Sequence, residues 1–399
     1  MNTPLFSIRE QYCLIFPYCK AWMLNLYLMP CKQHKTGSVM TQQHFKSDSH
    51  KTNLDSLLSP MQLSHNLDLS NRIVMAPMTR CMADDDLVPT QAMADYYSRR
   101  AETGLIITEA TIIRADGQGY PNTPGIYSQA QIDGWKNVTE NVHANGGKIF
   151  LQLWHVGRAS HQIYLKGEPP IAPSNIALNG LIPQGAGLHY STPRALEIDE
   201  IPALVDAFAI GARNAMEAGF DGVEIHAANG YLIDQFMHWQ SNRRTDNYGG
   251  SPENMSRFAL DIVDAVINVV GARRVGIRLS PAAYIHMEHH PDDVQVFRYL
   301  LPKLNQYELA YVHTGMFDDS LRYDELNGTV TAFLRKYYSG TLIASGGYSA
   351  EAATQAISEK AFDLVAIGRH FIANPDFINK LKNGLAISPY DETMLATLY

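Results

Sequence analysis

The chain has 399 residues, 46% hydrophobic and 18% charged, with a formal net charge of −8. That length suits one α/β barrel of about 250 residues with insertions, or two smaller domains. The acidic balance argues against a nucleic-acid partner.

Residues 1–53 differ from the rest: they carry six Lys/Arg against two Asp/Glu, together with Cys13, Cys19 and Cys31. Residues 12–30 are apolar but interrupted by Pro17, Lys20 and Asn25. That is too broken for a membrane-spanning helix. Lys20 and the lack of a small-residue cleavage site also argue against a secretory leader. Residues 1–54 therefore read as an N-terminal extension, either disordered or the product of a start placed too early, with translation beginning at Met40 and residues 1–39 outside the natural protein, and residues 55–399 read as the folded body. The body has one cysteine, Cys81. That excludes an internal disulfide framework, and with no CxxC pair it offers no zinc site; a reducing, cytoplasmic setting fits, with no membrane partner.

From residue 69 onward, short apolar runs alternate with helical patterns. Strands are expected over 72–77, 104–109, 148–155, 222–227, 275–281, 309–314, 340–345 and 364–368. Helices are expected over 90–102, 129–145, 201–218, 252–270, 292–306, 327–338, 350–360 and 375–383. The 252–270 segment has Ser251 as N-cap and Pro252 at its first position. Eight strands, each followed by a helix, predict a (β/α)8 TIM barrel. The alternative, a doubly wound open sheet, lacks its glycine fingerprint after the first strand. Residues 157–192, after the third strand, are rich in proline and glycine and lack helical periodicity. They read as a capping hairpin over the catalytic face.

Barrel active sites lie at the C-terminal ends of the strands. The fourth strand delivers His226, followed by Asn229 and Tyr231. His226 and Asn229 can hold one carbonyl oxygen, and Tyr231 can give up a proton. Each alone has a plainer explanation: a lone strand histidine is usually a hydrogen-bonded core residue, and Arg278 could be a structural ion-pair partner. Their placement at one barrel end is harder to explain as packing. Thr79, Gln152 and Arg278 lie at other strand ends, and glycine turns with Arg369 follow the last two strands. Backbone N–H groups at such turns approach phosphate closely, and Arg369 adds a charge. A phosphorylated redox heterocycle, FMN, fits this set. The turn 242–251, polar and glycine-rich, reads as structural.

The chain resembles the Old Yellow Enzyme family of FMN-dependent ene-reductases over about residues 57–390. The motifs are Ala76-Pro-Met-Thr79-Arg80, Gln152-Leu-Trp154-His155-Val-Gly157-Arg158, His226-Ala-Ala-Asn229-Gly-Tyr231, Asn242-Arg-Arg-Thr-Asp246 with Gly249-Gly250-Ser251, and Gly368-Arg369 with Asn374-Pro375-Asp376. Thr79 makes it similar to the bacterial N-ethylmaleimide reductase branch. The resemblance implies that Pro77, Thr79, Ala110 and Gln152 hold the flavin ring. It places Arg278 at the ring's pyrimidine edge and ribityl chain, and Gly347, Gly368 and Arg369 at the phosphate. It gives His226 and Asn229 the substrate oxygen and Tyr231 the proton. The implied reaction is NAD(P)H-dependent reduction of an electrophilic alkene, in a monomer or homodimer. The alternatives are a reductase of nitrate esters or nitro compounds and a flavin redox sensor without turnover. One departure stands out: Asp391-Glu-Thr-Met-Leu-Ala396 lacks the family's aromatic pair, and tyrosine returns only at Tyr399.

Overall fold

Apolar β-branched runs cannot leave both faces of a strand in water, and here eight of them close on one another. They are β1 (Ile73–Met75), β2 (Leu105–Ile112), β3 (Ile149–Trp154), β4 (Gly222–Ala227), β5 (Val275–Leu279), β6 (Tyr311–Thr314), β7 (Leu342–Ala344) and β8 (Leu364–Ile367). They form a closed barrel in sequence order, with every neighbouring pair parallel. The computed structural model describes residues 54–64, 67–183, 185–282, 284–288 and 290–399. The expected extension, apart from Leu54, and the expected start at Met40 lie outside them.

Most strands are shorter than the sequence pattern predicts, because pairing ends where loops diverge. β4 has the expected bounds, and β2 alone runs longer, continuing past Glu109 to Ile112 and setting Ala110 opposite Gln152 of β3. The principal helices are α1 (Gln91–Ser98), α2 (Gln129–Ala144), α3 (Ile201–Glu217), α4 (Pro252–Val270), α5 (Asp293–Leu304), α6 (Val330–Tyr337) and α7 (Ala350–Ser358), with Arg369–Ala373 and Phe377–Asn383 after β8. Side-chain caps set their starts: Thr90, Ser128, Ser251, Thr329 and Ser349 each accept a backbone N–H of the first turn. Ser128 and Gln131 complete a reciprocal capping box. The periodicity gave no sign of the one-and-a-half-turn helix Leu232–Met237, or of the hairpin Met61–Ser64 with Leu67–Leu69.

That hairpin contributes Leu63, Leu67 and Leu69 to an apolar cluster with Val74, Leu105, Ile107, Phe150, Tyr311 and Ile343. Two glycines make room in this cluster. A Cβ on Gly276 would lie 2.2 Å from the Tyr311 ring, and one on Gly222 would lie 2.4 Å from Phe150. Side chains two apart on a strand share a face. Phe150 therefore points the same way as Gln152, Gly222 as Glu224, Gly276 as Arg278, and Tyr311 as His313. The barrel interior is thus apolar toward the strand starts and polar toward their ends.

Residues 157–192 form a looser cap than the expected hairpin. One antiparallel bridge joins Leu181 and His189, and a short parallel pair joins Ile171–Ala172 to Arg194–Ala195. The 242–251 turn supports it. Arg244 pairs with Asp246 and donates to the carbonyls of Pro173 and Leu196, while Asn242 donates to those of Phe236 and Tyr248. At the other edge, Arg80 donates to the carbonyls of Met394 and Thr397, and Arg100 to that of Tyr399. These arginines hold the final residues without the family's aromatic pair.

Replacing Gly276 by Ala drives a methyl into the Tyr311 ring. Overpacking of this kind costs about 1–3 kcal/mol. Chemical denaturation should show a lower midpoint; an unchanged midpoint would mean that the ring does not fill this space.

Candidate functional site

Four polar side chains occupy the upper barrel. Gln152 Nε2 donates to Glu224 Oε1 at 2.7 Å, and Glu224 Oε2 lies 2.9 Å from His313 Nδ1. Arg278 is paired in register with both His226 and His313 on the flanking strands. Glu224 and His313 are fully buried. Burial alone would raise the Glu224 carboxyl; His313, Arg278 and Gln152 outweigh it and hold it below the usual carboxylate range. Arg278 is 8% exposed and donates to the Thr314 carbonyl at 3.4 Å. It forms no ion pair among the described residues, so its charge is only partly offset within the protein.

Above this layer β4 ends in His226, whose ring is buried. Burial, reinforced by the Arg278 cation and by His313 and His286, pushes its pKa well below the ordinary histidine value. The imidazole is therefore neutral, and its Nδ1 is buried without a partner. Asn229 lies in the left-handed region at φ 61°, a conformation that asparagine tolerates better than most residues. Its Oδ1 is buried and unpartnered, turned toward Gly315, and no hydrogen bond among the described residues uses its amide nitrogen. Two uncommitted side chains able to donate, one at the end of β4 and one on the loop that follows it, thus lie three residues apart.

Tyr231 stands edge-on to Trp154 at 4.9 Å and to His226 at 5.1 Å. Its hydroxyl is 2.9 Å from that of Tyr120, which stacks on Trp154. Burial pushes both phenols above their ordinary pKa. Tyr231 therefore holds its proton. From the cap, Tyr190 bonds His286 Nε2 at 3.0 Å, and His286 Nδ1 reaches the Asn229 carbonyl at 3.1 Å. The cap is in this way tied to the loop that carries Asn229.

The remaining expected residues occupy neighbouring strand ends. Pro77 and Thr79 follow β1, half-buried, and no hydrogen bond links them to Gln152 or Arg278 among the described residues. Gly347, after β7, is exposed at φ 82°, and a Cβ there would meet nothing within 4 Å. Gly368 faces Met78, and the exposed Arg369 lies over the Phe317 ring at 5.4 Å. The donor set fits FMN. An open glycine turn and a cation suit a phosphate. Gln152, with its amide nitrogen committed to Glu224, presents its oxygen to an imide N–H. Arg278 suits a ring that gains negative charge on reduction. Trp154 Nε1 and His313 Nε2 are further buried donors or acceptors without partners.

Sequence reasoning missed Glu224, His313, Tyr120, Tyr190 and His286. Glu224 carried a usable signal, since a lone carboxylate two residues before His226 in an apolar strand must share its face. The other four come from separate loops and strands, so only the closed barrel brings them together.

Comparison with known proteins gives the family and the fold. Residues 56–388 match the NADH:flavin oxidoreductase / NADH oxidase family. 12-oxophytodienoate reductase 1 of Oryza sativa subsp. japonica is 43% identical over 346 residues, which is 86% of this chain and 90% of that protein. The structure of morphinone reductase in complex with tetrahydroNAD superposes with a TM-score of 0.79 at 43% identity, covering 85% of this chain and 93% of the other. The old yellow enzyme homologue from Zymomonas mobilis gives a TM-score of 0.80 at 38% identity, covering 85% and 96%. The barrel, the flavin-compatible strand ends and these likenesses together place the chain in the NADH:flavin oxidoreductase / NADH oxidase family, among the FMN-dependent Old Yellow Enzymes.

Proposed function

We propose that this enzyme reduces the activated C=C bond of α,β-unsaturated carbonyls, maleimides or nitroalkenes with NAD(P)H, and that His226, Asn229 and Tyr231 carry the substrate chemistry. The observation behind this reading is two uncommitted donors beside a phenol that keeps its proton, all at one barrel mouth. Pro77, Thr79, Ala110, Gln152 and Arg278 would hold the flavin ring, and Gly347, Gly368 and Arg369 its phosphate. When bound, FMN supplies the hydride, having taken it from NAD(P)H.

As the β-carbon of the alkene gains hydride, negative charge gathers on the substrate oxygen. Preorganised donors matter most at that moment, because they are stronger in the transition state than in the ground state. Neutral His226 can donate one N–H there, and Asn229 an amide N–H. Tyr231 then passes its proton to the α-carbon, which is strongly basic in the enolate-like species. Tyr120, at hydrogen-bond distance, can donate to the phenolate oxygen left behind. A single site used by NAD(P)H and then by the alkene implies alternating half-reactions. The cap supplies walls for a small molecule. No helix among the described residues is long and apolar enough to cross a membrane. We place the enzyme in the cytoplasm, as a monomer or homodimer.

Tyr231→Phe tests the assignment. The rate of alkene reduction should fall by about 10²–10⁴-fold, the usual worth of a positioned acid, while flavin reduction by NAD(P)H stays near the wild-type rate in stopped-flow absorbance. Equal loss in both half-reactions removes Tyr231 from the proton-donor role.

The neutral state of His226 gives a second test. Its lowered pKa keeps the ring uncharged from pH 8 down past 6.5, where an ordinary histidine would gain a proton. The pH profile of kcat/KM for a neutral enone should then show no step near 6.5 attributable to His226. A step that disappears in His226→Asn would mean that the ring titrates normally.

A further inference from the structure

We propose that Ser280, Asp234, His238 and Asp293 form a buried positioning network that fixes Asn229 as an oxygen-binding donor; this rests on the reading of Asn229 given above. The chain of contacts is continuous. Asn229 N donates to Ser280 Oγ at 2.8 Å, and Ser280 Oγ donates to Asp234 Oδ2 at 2.8 Å. The same Asp234 oxygen accepts Gly230 N at 2.8 Å. Asp234 Oδ1 lies 3.0 Å from His238 Nε2, and His238 Nδ1 lies 2.8 Å from Asp293 Oδ2. Asp293, at the start of α5, also accepts the backbone N–H groups of Trp239 and His290. Asp234, His238 and Asp293 are all fully buried, and Ser280 is 1% exposed.

The geometry fixes the charge state. A neutral imidazole has one N–H and one lone pair, yet each His238 nitrogen faces a carboxylate oxygen. Both nitrogens must donate, so the ring is a cation between two anions. Burial works against that charge, but Asp234 and Asp293 overcome it and push the His238 pKa up to about 10. A buried cation held between two buried carboxylates has little freedom to move, because losing either bond leaves an unpaired charge.

The rigid end of this chain meets the catalytic loop at its strained residue. The left-handed backbone of Asn229 sets the direction of its side chain. Its own N–H, the next N–H and its carbonyl are all held, by Ser280, Asp234 and His286 respectively. Gln235 Nε2 takes the Gly230 carbonyl at 2.7 Å. Among the described residues, no side-chain hydrogen bond or ring contact joins Ser280, Asp234, His238 or Asp293 to His226 or Tyr231. These are positioning residues, and their effect should pass through the Asn229 side chain alone.

A double-mutant cycle on the FMN-loaded enzyme tests this. The probe is phenol, whose bound phenolate offers one anionic oxygen to the donors and an electron-rich ring to oxidised flavin; binding is read as long-wavelength absorbance. Ser280→Ala should weaken phenol binding about tenfold, the equivalent of one hydrogen bond of roughly 1.4 kcal/mol. Ser280→Thr, which keeps the hydroxyl, should restore it. In an Asn229→Ala background, Ser280→Ala should cost nothing further. If Ser280→Ala fails to retain FMN, His238→Gln, which lies further along the chain, goes through the same cycle under the same criteria. Wild-type affinity in the tested variant, or an equal loss with and without Asn229, overturns the network's role. Unchanged phenol binding in Asn229→Ala alone overturns the site reading on which it rests.

Discussion

The buried positive charge of Arg278 is the constraint around which the site is arranged. It stands inside the barrel mouth without an ion-pair partner among the described residues, flanked in register by His226 and His313. A cation so placed disfavours any neighbouring cation and favours any neighbouring anion. Burial, reinforced by this cation, keeps His226 neutral, and His313 together with Arg278 keeps Glu224 ionised despite full burial. Glu224 in turn fixes which end of the Gln152 amide faces outward. This charge thus adds to burial at His226 and to His313 at Glu224 in setting their protonation, and it is suited to stabilise a ring that becomes anionic.

A second layer supplies rigidity. Tyr231 is locked by ring contacts with Trp154 and His226 and by the Tyr120 hydroxyl. Asn229 is held in a left-handed conformation by backbone bonds on both sides. The cap reaches the same loop through Tyr190 and His286. Donors held in advance of the reaction need not reorganise when charge develops, which is where electrostatic catalysis gains most of its effect.

The barrel was legible because its strands are near-continuous apolar runs and its helices carry side-chain caps. The 252–270 helix, with Ser251 and Pro252 at its start, has the bounds that the sequence implies. Strand ends were less legible, since pairing stops where loops diverge, a matter of register and not of composition. The His226, Asn229 and Tyr231 cluster could be found because it follows one strand at short spacing. Glu224 and His313 could not be paired in advance, for they lie 89 residues apart and meet only across the closed barrel. The cap was harder still: its proline- and glycine-rich sequence marks a loop but not the bridge and parallel pair found among its described residues.

The central claim is that this barrel mouth takes electrons from a nicotinamide and gives them to an activated alkene through one flavin. The direct measurement is the visible absorption spectrum of the purified protein, recorded anaerobically on adding NADPH and then 2-cyclohexenone. The account predicts a flavin spectrum that bleaches with NADPH and returns with the enone. A flavin that bleaches but stays reduced in the presence of the enone would contradict it.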